Sequence, residues 1–507
     1  MNAGSASRGW VSGILEAFLK GNLSVILIVI SLIAGIGALL ITPREEDPQI
    51  VVPVADVFIH MPGASAAEVE RQVSSRLEKL LYQIDGVKHV YSMSFPSMAV
   101  VTVRFHVGED RERSWVKLYN KVRSNIDQVP PGVTGWVVKP VEIDDVPIIN
   151  ITLYSSQYSD YALRRLAEEL QLRLQGVRDA GITSLVGGRP RQITVHLSPQ
   201  RMAARGISLK DIERVVRGAD VNQRAGHLVR ENQEIRLDAG RFLMSAQEVE
   251  NLVISVRDNR PVFLKEVASV RDGPAEPETY TRIAFGQRAF SSIDPADGKS
   301  LPKGIEPFKD YPAVTVAVAK RKGSNAVWVA EGVRKETARF AKEVLPQGVH
   351  WRITRDYGKS SDDKVNELIK ELMVAIVIVV ALLAYTLGWK EGLIIALAVP
   401  VTFGFTLLIN YLLGYSINRV TLFALILSLG LVVDDPIVDV ENIHRHFEMR
   451  IEPPQPAVVH AVNEVLPPII IATLAVIISF LPMFFITGMM GPYMAPMALN
   501  VPVAMLM

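Results

Sequence analysis

Apolar and polar positions divide the chain into three blocks. Leu23 to Ile41 is an apolar run with no charge, residues 43 to 364 mix both classes at strand and helix periods, and Leu, Ile, Val, Ala, Met and Phe dominate again from 366 onward. A membrane helix needs roughly 20 apolar residues, because no backbone polar group can stay unpaired in hydrocarbon. Leu23–Ile41 meets that length, and further runs follow at about 368–387, 392–413, 419–440 and 465–487. A sixth begins near Pro496 and is cut by Met507, so the pattern predicts six spans with the last incomplete, in a chain truncated or split from a longer one. The first run is followed by TPREEDPQ, which lacks a small-x-small cleavage site, so it reads as an uncleaved span. Before it, Trp10, Ile14, Leu15 and Phe18 fall at helical spacing beside Arg8 and Lys20, as in a short helix lying on the inner leaflet. Lys390, Arg445 and Arg450 flank the later spans and place those connections in the cytoplasm. The 43–364 block then faces outward.

Within that block, strand and helix periods alternate. A strand at Val52–Ile59 leads into Met61-Pro62-Gly63-Ala64-Ser65, with Ser65 the N-cap of a helix over 66–83. Strands at 87–93 and 98–106 and a helix at 112–127 follow, and Pro130-Pro131-Gly132 closes the unit. A second copy opens with a strand at Ile148–Leu153 and a helix at 160–175, then a strand led by Gly181-Ile182. Strand Ala313–Lys320, helix 325–343 and strand 349–354 complete it. The recurrence predicts tandem βαβ units of the split ferredoxin-like type. Residues 187–275 read as an inserted subdomain, with strand Gln192–Leu197, helix Leu209–Arg217 and a strand near Glu234–Asp238; 290–311 read as an exposed loop.

Composition removes several function classes. A net charge of +1 without a basic tract gives no sign of a nucleic-acid partner. The absence of cysteine excludes disulfides, thiol chemistry and cysteine metal sites. No phosphate-cradling glycine loop is present, Gly187-Gly188 being a turn, which argues against ATP as the energy source.

The chemistry concentrates at Asp434 and Asp435, adjacent in the fourth apolar run. One carboxylate at mid-membrane costs at least about 2.5 kcal/mol, and two neighbours cannot both ionise there cheaply. Adjacent helical positions point about 100° apart, so the pair fans toward two neighbours. A change of access then loads or releases a proton, as a proton antiporter requires. The bland alternative is that the pair only glues helices together; an aspartyl protease would need carboxylates on two helices facing one water. Asp439, one turn beyond Asp435, is either a stepping stone toward the cytoplasm or an interfacial charge, and Asn410 and Tyr411 on the third span are polar candidates as partners. His444 and His446 read as a solvated interfacial pair, Asp144-Asp145 as a solvated loop, and Met93, Met98 and the Met-rich segment 483–507 as packing rather than metal ligands.

Several motifs resemble the resistance-nodulation-division (RND) superfamily of exporters. Pro62-Gly63-Ala64 with Val69-Glu70 resembles its first porter helix. Gly388-Trp389 and Ala398-Val399-Pro400-Val401 resemble its second and third spans, and Gly414-Tyr415-Ser416-Ile417-Asn418 the connection into the fourth. Gly430-Leu431-Val432-Val433-Asp434-Asp435 with Val440-Glu441-Asn442 resembles its proton-relay helix, and the adjacent aspartates favour the hydrophobe/amphiphile, multidrug-resistance branch over the heavy-metal branch. The resemblance implies an α+β membrane protein with a helix bundle under a large periplasmic porter. Residues 1–42 would hold the interfacial helix and first span, 43–135 the first porter subdomain, 136–186 with 276–355 the second, 187–275 the docking subdomain, and 356–507 the second to sixth spans. It further implies the N-terminal half of a bacterial inner-membrane pump that exports drugs or other organic compounds on the proton-motive force, with no cofactor, metal or enzymatic step. Its expected partners are two further copies in a homotrimer, a periplasmic adaptor, an outer-membrane channel and the surrounding lipid. A lipid-, metal- or protein-export component, or a half-subunit needing a partner chain, is the alternative. The hairpin around Arg224 to Ile235 looks shorter than the interlocking arm of drug-pump trimers, and Pro436 and Asp439 stand where that branch more often has small or apolar residues.

Overall fold

A computed structural model describes residues 23–507 apart from 46–47, 49, 258, 292–300, 302–303 and 387. The interfacial helix expected before residue 23 lies outside the described residues. Helix α1 (Leu23–Ile41) is followed by a head of αβ units and then by a helix bundle that α1 rejoins.

The first unit comprises β1 (Val54–His60), α2 (Ala66–Val69), a π-helical turn (Glu70–Ser74), α3 (Ser75–Leu81), β2 (Val87–Phe95), β3 (Met98–Phe105), α4 (Arg111–Ser124) and β4 (Gly135–Val141). Ser65 caps α2 in a reciprocal box with Glu68, satisfying two of the otherwise orphaned amides at the helix start. The strands run antiparallel in the order β2-β3-β1-β4, and alternation on β1 turns Ala55, Val57 and Ile59 into the core beneath the helices. Because β4 completes this sheet, the first unit reaches residue 141, six positions beyond the division expected at 135.

The second unit repeats that order. It contains β5 (Ile149–Ser155), α5 (Asp160–Gln175) and β6 (Ala180–Val186), then the insert, then β14 (Tyr311–Lys320), α11 (Ala326–Glu343) and β15 (Val349–Asp356). Counted within the unit, the sheet again runs second-third-first-fourth, as β6-β14-β5-β15. Leu163, Ala167, Leu170 and Leu174 recur at helical spacing on α5 and are fully buried against the sheet. The other face is covered as well: Tyr154 packs on Phe285 with ring centroids 5.2 Å apart, beside buried Ile305 and Tyr311. The segment expected as an exposed loop over 290–311 therefore lends part of its described residues to this second core.

The insert spans β7 (Arg191–Leu197), α6 (Pro199–Arg205), α7 (Leu209–Ala219), β8 (Val221–Arg230), β9 (Gln233–Arg241), α8 (Ala246–Glu250), β10 (Val253–Arg257), β11 (Arg260–Phe263), α9 (Leu264–Val267) and β12 (Ala268–Pro274). Strands β7 and β12 pair at its base, and β8 and β9 form a hairpin turning at Glu231 and Asn232, both at positive φ as a tight two-residue turn requires. A short β13 (Arg282–Ile283) and α10 (Arg288–Ser291) lead back to β14.

The bundle consists of α12 (Tyr357–Thr386), α13 (Trp389–Leu412), α14 (Arg419–Met449), α15 (Pro454–Phe480) and, after a 3₁₀ turn at Leu481–Phe485, α16 (Met490–Leu506). Among the described residues five helices, α1 and α12 to α15, are long and apolar enough to cross a membrane; α16 has 17 residues. At 30 residues α12 is about 45 Å long, so its charged first half projects beyond a hydrocarbon core and carries the second unit. Helices α1 and α13 cross at two glycines, Gly404 lying so near Gly35 that a methyl on Gly35 would overlap its Cα.

Candidate functional site

The head-side end of α14 is held firmly. Asn418 Oδ1 accepts from the amides of Val420 and Thr421, each at 3.0 Å, so the helix starts with its first donors satisfied. Sixteen residues further on, about 24 Å along the axis, stand Asp434 and Asp435. Val432 and Val433 before them and Val440 after them are buried, which keeps the surroundings apolar. Pro436 has no amide hydrogen, so the Val432 carbonyl loses its helical donor next to the carboxylates.

The two aspartates face different surroundings. Asp435 is half-buried against α15, and its Oδ2 accepts from Thr473 Oγ1 at 3.0 Å. Asp434 lies on the exposed side of α14 and makes no hydrogen bond to another described residue. Asp439 is half-buried, with Oδ1 enclosed and unbonded. Among the described residues no Lys or Arg pairs with any of the three. The arrangement supplies a carboxylate that one hydroxyl can follow through both states. Thr473 donates to the ionised form, and its oxygen can accept from the protonated one.

Asn410 and Tyr411, considered from the sequence as partners of the pair, lie elsewhere. They sit within three residues of the head-side end of α13, roughly 20 Å in depth from the aspartates by helical rise. Asn410 is buried and donates through Nδ2 to Asn500 Oδ1 on α16, whose own Nδ2 donates to the Pro496 carbonyl at 2.6 Å; Tyr411 is exposed. Sequence reasoning missed Thr473 and Asn500. Each is an isolated polar residue in an apolar run, and that isolation was the available signal.

The far end of α14 carries a second polar cluster. Glu464 on α15 accepts from Arg445 Nη2 at 2.8 and 2.9 Å, from His446 Nε2 at 3.0 Å and from Asn442 Nδ2 at 3.3 Å. His444 lies between Glu391, 3.3 Å away at the start of α13, and Glu448 at 3.4 Å. The two histidines, read from the sequence as a solvated interfacial pair, are exposed (His444) and half-buried (His446), and each also reaches a carboxylate on a neighbouring helix, Glu391 on α13 and Glu464 on α15.

An adjacent aspartate pair in the fourth long helix, in a chain with two αβ units of identical strand order, coincides with a family match over the chain. The AcrB/AcrD/AcrF family model matches residues 14–293 and 294–507. The chain belongs to that family. AcrB/AcrD/AcrF proteins are RND transporters, as the Gly430–Asn442 motif implied. Among curated relatives, "Multidrug resistance protein MdtC" of Pantoea ananatis (strain AJ13355) is 27% identical over 481 residues, covering 94% of this chain and 44% of the relative. The protein of the same name from Photorhabdus laumondii subsp. laumondii is 25% identical over 469 residues, covering 90% and 42%. The chain therefore spans less than half the length of these relatives.

Proposed function

We propose that this protein acts in a proton-driven antiporter that exports drugs or other organic, amphiphilic compounds across the cell envelope, with Asp434 and Asp435 binding the coupling proton. The observation that carries this reading is the adjacent carboxylate pair in apolar α14, one member held by Thr473 on a neighbouring helix and neither neutralised by a cation among the described residues. A proton arriving on Asp435 cancels a charge in a low-dielectric site and reverses the direction of the Thr473 hydrogen bond, which changes what favours the α14–α15 packing. Release toward the far end, with Asp439 as the next carboxyl, restores the ionised state. Asn410 and Tyr411 stay outside this route.

In this reading the first and second αβ units are ferredoxin-like porter subdomains and 187–275 the docking subdomain, in the periplasm. The helices, α16 included as a sixth span, sit in the bacterial inner membrane. The proton-motive force suffices, with no cofactor or metal and no enzymatic step. The working assembly is a homotrimer with an adaptor and an outer-membrane channel, and the relatives' printed name supports organic substrates.

The test is proton-gradient-driven dye export by the full-length protein, compared with Asp434→Asn and Asp435→Asn. Export should fall at least tenfold in each variant. Unchanged export in both would remove the pair from the coupling step.

A further inference from the structure

Lys320, the last residue of β14, is buried at 9% exposure between two carboxylates. Its Nζ lies 2.9 Å from Glu45 Oε1 and 3.3 Å from Asp144 Oδ1, whose side chains are 7% and 16% exposed. Asp144, expected to be solvated, therefore turns inward. The three residues come from three mechanically distinct places. Glu45 follows α1, Asp144 lies in the turn Ile143–Asp145 that connects the first sheet to the second, and Lys320 ends a strand paired on both sides, with β5 and β6. A charge enclosed this way is held firmly, because removing Lys320 takes the shared cation away from two buried carboxylates.

The same connector grips the helix that carries the aspartates. Glu45 N donates to Ile417 O at 3.0 Å and Ile417 N to Pro43 O at 2.9 Å, a two-bond clamp on the residue preceding the Asn418 cap of α14. Between them, Arg44 Nη1 reaches Asp362 Oδ1 at 2.7 Å and Asn366 Oδ1 at 3.3 Å on the projecting part of α12. The segment after the turn is tied to α12 as well, since Ile148 O, just before β5, accepts from Tyr357 N at 2.7 Å. A continuous set of bonds thus leads from the first turn of α14 through residues 43–45 to the second sheet and to the link between the two αβ units.

We infer that Glu45, Lys320 and Asp144 form the joint through which displacement of α14 is passed to both αβ units, an inference that rests on the proton-coupled transport proposed above. They are positioning residues. None touches the proton site, about 24 Å along α14 from Asn418, and their role is to make the head follow the helix. Bonds in series are not by themselves evidence of coupling, so the joint needs a readout that a purely structural role would not move.

The test uses the full-length protein in proteoliposomes with ethidium as the transported cation. Lys320→Ala should cut proton-driven export at least tenfold while ethidium affinity, read by fluorescence anisotropy, stays within twofold. Lys320→Arg, long enough to reach both carboxylates, should recover at least half of wild-type export. Export by Lys320→Ala within twofold of wild type overturns the joint, as does an Arg variant that binds dye yet exports no better than Ala. If Lys320→Ala loses dye binding, amide exchange in the otherwise intact protein decides. Asp435→Asn should change exchange at least twofold at 142–148 and 316–322, and equal rates there refute the joint. A wild-type protein without proton-driven export would instead refute the transport reading, leaving the joint to the exchange measurement alone.

Discussion

Replacing Gly35 by alanine tests how tightly α1 is seated on α13. A methyl there would overlap Gly404 Cα and lie 3.2 Å from the Gly404 carbonyl carbon. Both obstacles are backbone, so no rotamer change relieves them, and the helices must part by about 1 Å to restore ordinary carbon–carbon separation. Overpacking of this kind costs about 1–3 kcal/mol, against about 1 kcal/mol gained in helix propensity from glycine to alanine. The net expectation is a loss of about 0–2 kcal/mol. The reciprocal change is milder: a methyl on Gly404 meets the Ser31 carbonyl oxygen at 3.0 Å and Gly35 Cα at 3.3 Å, contacts that a few tenths of an ångström relieve. Gly404→Ala should therefore be close to neutral. Thermal unfolding followed by intrinsic tryptophan fluorescence suits the comparison, since the chain has six tryptophans and no cysteine for thiol-reactive dyes. Gly35→Ala should melt below Gly404→Ala. Equal melting, or the reverse order, would refute the close-crossing argument.

Asp160, at the start of α5, has its carboxyl held below the usual carboxylate range, chiefly by hydrogen bonds from Arg189 at 2.8 to 3.2 Å. The stability this contributes is present above the ordinary value near 3.9 and is lost as pH falls through the lowered one, so Asp160→Asn should cost about 1 kcal/mol at pH 7, a deficit that closes below pH about 4 in chemical denaturation. His350 on β15 is pushed down by burial beside Tyr154, so the folded head favours the neutral ring and loses stability as pH drops below about 6.5; His350→Phe should flatten the melting profile between about pH 7 and 5.5. Pro436→Ala restores the donor to the Val432 carbonyl, and should raise the melting temperature while slowing proton-driven export severalfold with dye affinity unchanged.

Much of the head was legible because its elements are amphipathic. The helix read as 160–175 is α5, Asp160–Gln175, since Ser159 caps it and its apolar stripe stops at Leu174. Strand β4 shows where this reasoning ends. Gly135–Val141 follows Pro130-Pro131-Gly132, which reads as closing the unit, and nothing local says that it pairs with β1 some 80 residues earlier and so belongs to the first sheet. Candidate chemistry divides in the same way. Asp434 and Asp435 stand out because charge is costly in an apolar run, whereas Thr473, 38 residues beyond Asp435, becomes visible only when α14 and α15 pack. Lys320, Glu45 and Asp144 each look like ordinary surface charges in sequence, and their meeting is a property of the assembled fold alone.

Magnitudes decide where the molecule can bend. One proton crossing the membrane supplies about 2.3 kcal/mol per 100 mV, and each unit of pH difference adds about 1.4 kcal/mol. Pulling Lys320 away from both of its carboxylates would cost about 3–5 kcal/mol, which in the proposed cycle would consume most of that supply and leave little to move a substrate. Separating Ile417 from residues 43 and 45 would add about 1 kcal/mol for each backbone bond. In the proposed transport cycle the joint would therefore be too strong to open each time and would travel as a unit. Pro436 is the opposite case. Its helical hydrogen bond is already missing, so bending there gives up no such bond, and it adjoins Asp435, the carboxylate proposed to take up the proton. Under the proposed proton coupling, a helix that flexes at Pro436 and is rigidly clamped at Ile417 would convert a local change of charge into a swing of its head-side end. That geometry is why stiffening residue 436 should slow export without weakening dye binding.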